Sequence, residues 1–107
     1  MKNILISGAT GFIGQRLVRA IGTNIKVLAR EKHPDYETVI CNLESEVIPN
    51  NSLDEIDTVF HLAGFAHDIG EATKSQNIYQ KINVDATIRL ANLAVKSHVK
   101  SFISFLT

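Results

Sequence analysis

Residues 6–14 read ISGATGFIG and place Gly8, Gly11 and Gly14 at intervals of three. Before them lies the apolar run 3–7; after them Ile13, Leu17 and Ile21 recur at helical spacing, with Gln15, Arg16 and Arg19 on the other side. Gly22 then supplies a stop. The reading is a strand that turns straight into an amphipathic helix.

Outward from that unit, the runs 25–29, 38–41, 58–62 and 102–106 repeat the short, unbroken apolar pattern of strands buried on both faces. A longer helix is expected over 77–97. Its apolar stripe is read as Ile78, Ile82, Ile88, Ala91 and Val95, with Lys81, Asp85, Arg89, Asn92 and Lys96 more exposed. Segment 49–54 reads as a turn and 66–76 as a loop. Strands alternating with helices pair in parallel through right-handed crossovers, so the expected class is α/β, a doubly wound sheet of about five strands with helices on both faces.

Composition narrows the partners. At 107 residues, 45% hydrophobic and 21% charged, the chain suits one globular core. Eleven basic and eleven acidic residues are interspersed and cancel, which provides no basic stripe for nucleic acid and no cationic face for a membrane. The lone Cys41, inside the apolar triplet Val39-Ile40-Cys41, reads as an inert core thiol of a reducing compartment. No run has the length of a signal-peptide core or a membrane span, and a soluble cytoplasmic protein is expected.

The glycines have a physical use. Where a strand enters a helix, the first helical N–H groups lack partners and carry the positive end of the helix dipole, so they favour a phosphate. Gly8 would relieve the tight turn, Gly11 would admit a pyrophosphate to the backbone, and Gly14 would let the helix pack close to its strand. The spacing Gly-x-x-Gly-x-x-Gly differs by one residue in its first gap from the better known dinucleotide fingerprint, but the strand before it and the helix after it supply the context that the fingerprint requires.

Four stretches together carry a family resemblance. NILISGATGFIGQRLVRAI (3–21), VFHLAGFAH (59–67), INVDAT (82–87) and VKSFISFLT (99–107) resemble, in order, the glycine turn, the fourth strand, the Asn-Val-x-Gly-Thr signature and the fifth strand of the extended short-chain dehydrogenases/reductases. That group holds nucleotide-sugar epimerases, dehydratases and 4-ketoreductases. The resemblance implies a partial Rossmann-type domain, the amino-terminal NAD(P)-binding part of such an enzyme, with its substrate domain absent from these residues.

Carried over residue by residue, the resemblance implies that Gly8, Gly11, Phe12, Ile13 and Gly14 form the pyrophosphate turn, and that Leu62, Ala63 and Gly64 line the cofactor. Arg30 takes the position after the second strand, where an acidic residue marks NAD and an arginine can pair with a 2′-phosphate, so NADP is favoured over NAD. The alternative is a solvated charge beside Glu31 and Lys32. Asn42-Leu43 stands where the family has Asp-Leu, which contacts adenine; an amide oxygen can accept the same bond, or Asn42 is an ordinary turn residue. Thr107 falls on the catalytic Ser/Thr that hydrogen-bonds the substrate oxygen, or is simply a polar strand end.

His61 reads as a core histidine, His67 with Asp68 as a polar loop with a possible functional role, and His33 and His98 as surface residues. No ligand spacing suggests a metal. The family's reaction needs a Tyr-x-x-x-Lys pair, yet Tyr36 is followed by Ile40 and Tyr79 by Asn83. Two readings stay open: the cofactor-binding part of a nucleotide-sugar enzyme, incomplete by itself, or a non-catalytic nucleotide-binding or regulatory module. An incompletely covered sheet also leads us to expect self-association.

Overall fold

The computed structural model of the protein describes residues 2–62 and 73–105, with backbone only over 73–80. Seven elements follow in chain order: β1 (Ile4–Ser7), α1 (Phe12–Ile21), β2 (Ile25–Ala29), β3 (Glu37–Ile40), β4 (Thr58–His61), α2 (Thr73–Lys96) and β5 (Ser101–Ser104). The strands form one parallel sheet in the order β3-β2-β1-β4-β5. The chain builds outward from β1 in one direction, then returns to its other side for β4. That reversal creates a crevice at the carboxyl ends of β1 and β4, where such sheets take ligands.

Alternation along β1 divides the core. Ile4 and Ile6 join Ile25, Val27 and Phe60 beneath Val18, Leu17 and Ile21 of α1. Leu5 joins Leu28 and Val59 on the opposite face, beneath Ala86, Leu90 and Ala94 of α2. The segment between β3 and β4 adds Leu43, Ile48, Leu53 and Ile56 to that second layer, although it forms turns rather than a helix. Each aliphatic side chain removed fully from water contributes about 1.5–3 kcal/mol, and Leu5, Ile6, Val27 and Val59 are all fully enclosed. The inner strands β1 and β2 are buried on both faces; β3 and β5, at the edges, are half-exposed.

Both helices are turned differently from the expected stripes. In α1 the buried positions are Gly14 and Val18, while Ile13 is 46% exposed, because the face that meets β1 must carry the residue without a side chain. In α2 the buried row is Ala86, Leu90 and Ala94, whereas Ile88 and Val95 point outward. Small residues allow the helix axis to approach the sheet, and large apolar ones one or two positions away are left in solvent. Arg89, expected outside, is half-buried and hydrogen-bonded. Gly22, with φ 77°, closes α1 by donating its N–H to Val18 O.

At the sheet edges, Ile40 and Ile103 pair in register with Ala29 and Phe60, on the α1 side, and both extend beyond the helix's cover. Among the described residues no helix is long and apolar enough to cross a membrane.

Candidate nucleotide site

The turn between β1 and α1 is built by backbone. Gly8 has φ 79°, a left-handed conformation that L side chains rarely adopt, and its carbonyl accepts the N–H of Gly11 at 3.2 Å. Gly11 is the N-cap of α1 and offers no side-chain cap, so the first-turn amides of Phe12, Ile13 and Gly14 lack a side-chain acceptor from the cap. A Cβ on Gly14 would lie 1.9 Å from Gly8 O and 2.8 Å from the Ala9 Cα. The helix therefore starts as close to the strand as backbone allows. These amides and the absent side chains suit a pyrophosphate, and the donor set fits a dinucleotide on this ground.

A cleft of about 250 Å³ continues from the turn along the ends of β2 and β3. It is lined by Gly8, Gly11, Arg30, Asn42, Leu43 and Leu62 among others, so the structure gathers these expected residues around one space. Phe12 and Ile13 stand outside the cleft, and Phe12 is 75% exposed beneath the Arg16 guanidinium, 3.8 Å from its ring centroid. Ala63, Gly64, His67 and Thr107 lie outside the described residues.

A neighbouring hollow holds Thr10, Arg30, Lys32 and His33. Lys32 is already spent, donating to His33 O at 2.7 Å and Tyr36 O at 2.8 Å. Arg30 is exposed and has no partner among the described residues. His33, expected at the surface, is half-buried: its Nδ1 accepts the Asp35 N–H at 3.1 Å, and its ring lies 5.2 Å from that of Tyr36.

Asn42 is held from three sides. Its Oδ1 accepts the Glu44 N–H at 3.0 Å, its own N–H donates to Glu46 Oε1 at 2.6 Å, and its carbonyl accepts the Glu46 N–H at 2.8 Å. The amide oxygen expected to meet adenine thus already serves the loop. From α2, Arg89 donates to Leu43 O and, at 3.1 Å, to Glu46 O, which ties this wall of the cleft to the helix behind it.

Beneath the crevice a polar chain crosses three elements. Ser7 Oγ lies 2.6 Å from His61 Nδ1, His61 Nε2 lies 3.0 Å from Thr87 Oγ1, and the Thr87 hydroxyl donates to Asn83 O at 2.8 Å. With its proton committed to Asn83, Thr87 accepts from Nε2–H, and in the neutral imidazole that burial favours Nδ1 accepts the Ser7 hydroxyl. Burial pushes the His61 pKa below its ordinary value. His61 is the core histidine expected. Ser7, Thr87 and Arg89 were not legible as partners, although a serine and a histidine inside two apolar strands each signal a buried group in need of one. Among the described residues no three His, Cys, Asp or Glu gather as a metal site.

A parallel sheet with this switch point and glycine turn defines a nucleotide-binding α/β protein of the Rossmann type. The chain belongs to the NAD dependent epimerase/dehydratase family, whose model matches residues 4–107. It is 26% identical to a 3-beta-hydroxysteroid dehydrogenase of Mycolicibacterium neoaurum, over 96% of this chain and 31% of that protein. It is 27% identical to a UDP-glucose 4-epimerase of Vibrio cholerae, over 95% of this chain and 34% of that protein. The solved structure of MoeE5 in complex with UDP-glucuronic acid and NAD superposes with a TM-score of 0.76 at 31% identity, covering 95% of this chain and 36% of that one. A short-chain dehydrogenase/reductase superfamily protein from Agrobacterium tumefaciens with bound NAD, 23% identical, shares the fold with a TM-score of 0.74, over 94% of this chain and 31% of that one. The chain spans about a third of the length of the curated relatives it matches.

Proposed function

We propose that residues 1–107 are the dinucleotide-binding part of a nucleotide-sugar epimerase, dehydratase or reductase, and that they take NADP in preference to NAD. The observation that carries the cofactor preference is the exposed Arg30 guanidinium beside Thr10, one strand from the glycine turn and without a partner among the described residues. A planar fork suits a 2′-phosphate, and no acidic side chain stands at that position to accept ribose hydroxyls. The sugar-nucleotide substrate is supported by MoeE5, which is solved with UDP-glucose as well as UDP-glucuronic acid.

In this reading the amides of Phe12, Ile13 and Gly14 hold the pyrophosphate, Arg30 the 2′-phosphate, and Asn42 and Leu43 border the base. Leu62, Ala63 and Gly64 would line the cofactor, and Thr107 would be the hydroxyl that hydrogen-bonds the substrate oxygen. A bound nicotinamide dinucleotide supplies hydride transfer. The chain's own residues bind and orient it, and without a Tyr-x-x-x-Lys pair they lack the group that would take the substrate proton. Binding without turnover is the expected behaviour. We place the protein in the cytoplasm, in keeping with its single buried thiol, and we expect the apolar edges at Ile40 and Ile103 to promote self-association, which sedimentation would register as species larger than a monomer.

Calorimetric titration with NADPH and NADH tests the cofactor assignment. NADPH should bind tenfold or more tightly, and Arg30→Asp should abolish or invert that ratio; equal affinities in the unaltered chain would refute the role of Arg30.

A further inference from the structure

We propose that His61 is a positioning residue for the dinucleotide: its imidazole ties the ends of β1 and β4 to α2, and the glycine turn keeps its binding geometry through that tie. This rests on the reading of the cleft as a dinucleotide site. Ser7 and His61 stand in register as the last residues of the two strands between which the sheet reverses. The residues that follow them, Gly8 and Leu62, both line the cleft. Gly8 carries the left-handed φ of 79° and the carbonyl that accepts Gly11 N–H, so a displacement of Ser7 passes directly into the turn. The Leu62 N–H donates to Ser7 O at 3.0 Å, which makes the two strand ends move together.

The backbone ladder joins strand to strand; the imidazole joins both strands to the helix behind them. Ser7 Oγ lies 2.6 Å from Nδ1, and Thr87 Oγ1 lies 3.0 Å from Nε2. Thr87 spends its own proton on Asn83 O, one turn earlier in α2, and so offers Nε2–H an acceptor. Ser7 is fully enclosed and His61 is 2% exposed, so neither can exchange its partner for water, and loss of either bond leaves a buried polar atom unpaired. The Phe102 ring, its centroid 6.3 Å from that of the imidazole, flanks His61 from β5. Two residues beyond Thr87, Arg89 donates to Leu43 O and Glu46 O. One stretch of α2 therefore holds the cleft on two sides, the strand ends through Thr87 and the loop after β3 through Arg89. A dinucleotide that needs this arrangement must, by reciprocity, also stabilise the tie that maintains it.

Calorimetric titration with NADPH, on variants shown folded by thermal melt, reads the tie from both ends. Thr87→Val removes the acceptor and Ser7→Ala the donor, and each should weaken NADPH binding fivefold or more. Thr87→Ser keeps the hydroxyl and should recover binding to within twofold of the parent. The double variant should fall within twofold of the weaker single one, because a chain cut at one end transmits nothing more when cut at the other. Losses that multiply would reveal two independent packing effects and overturn the proposal, as would Thr87→Ser binding as weakly as Thr87→Val, or Thr87→Val binding as well as the parent. Should the variants not fold, the unaltered chain decides. With isotope-labelled histidine, the His61 Nε2–H should exchange with solvent at least fivefold more slowly when the chain is saturated with NADPH. An unchanged rate with NADPH bound overturns the proposal and leaves the dinucleotide reading in place; failure of the unaltered chain to bind NADPH overturns both.

Discussion

Gly14 stands against Gly8 so closely that a single added methyl carbon would lie 1.9 Å from the Gly8 carbonyl oxygen. The obstructing atoms, the carbonyl of Gly8 and the Ala9 Cα, are all backbone of the turn that follows β1, and they cannot give way without opening that turn. Gly14→Ala is therefore expected to destabilise the protein by about 3 kcal/mol, even though alanine favours helix by about 1 kcal/mol over glycine. A thermal melt should fall by more than about 10 °C. Gly11 separates structure from ligand. A Cβ there meets Gly8 O at an ordinary 3.4 Å, so Gly11→Ala should leave the melt within about 0.5 kcal/mol of the parent. The same methyl would intrude where a phosphate must reach the amides, and dinucleotide affinity should drop tenfold or more by calorimetry.

His61 makes stability depend on pH. Its folded pKa is lowered by burial, so below the ordinary value of 6.5 the unfolded chain takes up a proton that the folded chain refuses. The stabilisation is complete above pH 6.5 and is lost as the pH falls toward the depressed folded value. Denaturant melts at pH 5 and 7.5 should show this loss in the parent and a flatter dependence in His61→Gln. An equal slope in both would exclude His61 as its source.

Arg89 anchors the wall of the cleft through two carbonyls, Leu43 O and Glu46 O. Arg89→Met keeps much of the aliphatic stem and removes both donors, with an expected loss of about 1–3 kcal/mol. Hydrogen exchange should accelerate over 43–48 beyond what the global loss explains. If those amides change only in step with β1, the anchor is not functioning as described.

Cys41 is 3% exposed, and burial, followed by the nearby Glu46 carboxylate, raises its thiol pKa despite an opposing effect of Arg89. Reaction with a thiol-specific disulfide reagent at pH 8 should be slow in the native chain and complete after unfolding. Prompt native labelling would mean that the segment after β3 opens readily.

Much of the architecture was legible from residue order alone. The strands at 4–7 and 25–29 were read almost to the residue because both faces are apolar, and the Gly-x-x-Gly-x-x-Gly turn announced itself through spacing. The faces of the helices were not legible. In α2, size misled: Ile88 and Val95 are the hydrophobic residues a stripe would choose, but Ala86 and Ala94 are what a close approach to the sheet can accommodate. Asn42 was legible as a turn residue bordering the site, while its bond from Glu44 N–H involves a backbone group that carries no mark in the sequence.

The amino-acid order by itself determined the alternation of strand and helix, the glycine turn between them and the family to which the chain belongs, because these depend on local periodicity and on positions where a side chain cannot exist. Only the tertiary structure decided the hydrogen-bond chain from Ser7 through His61 to Thr87, the reach of Arg89 from α2 to the wall of the cleft, and the commitment of Lys32 to the carbonyls of His33 and Tyr36. Those are relations between residues far apart in the chain or between competing local partners. Their energies depend on distance and direction in space, which no spacing along the sequence encodes.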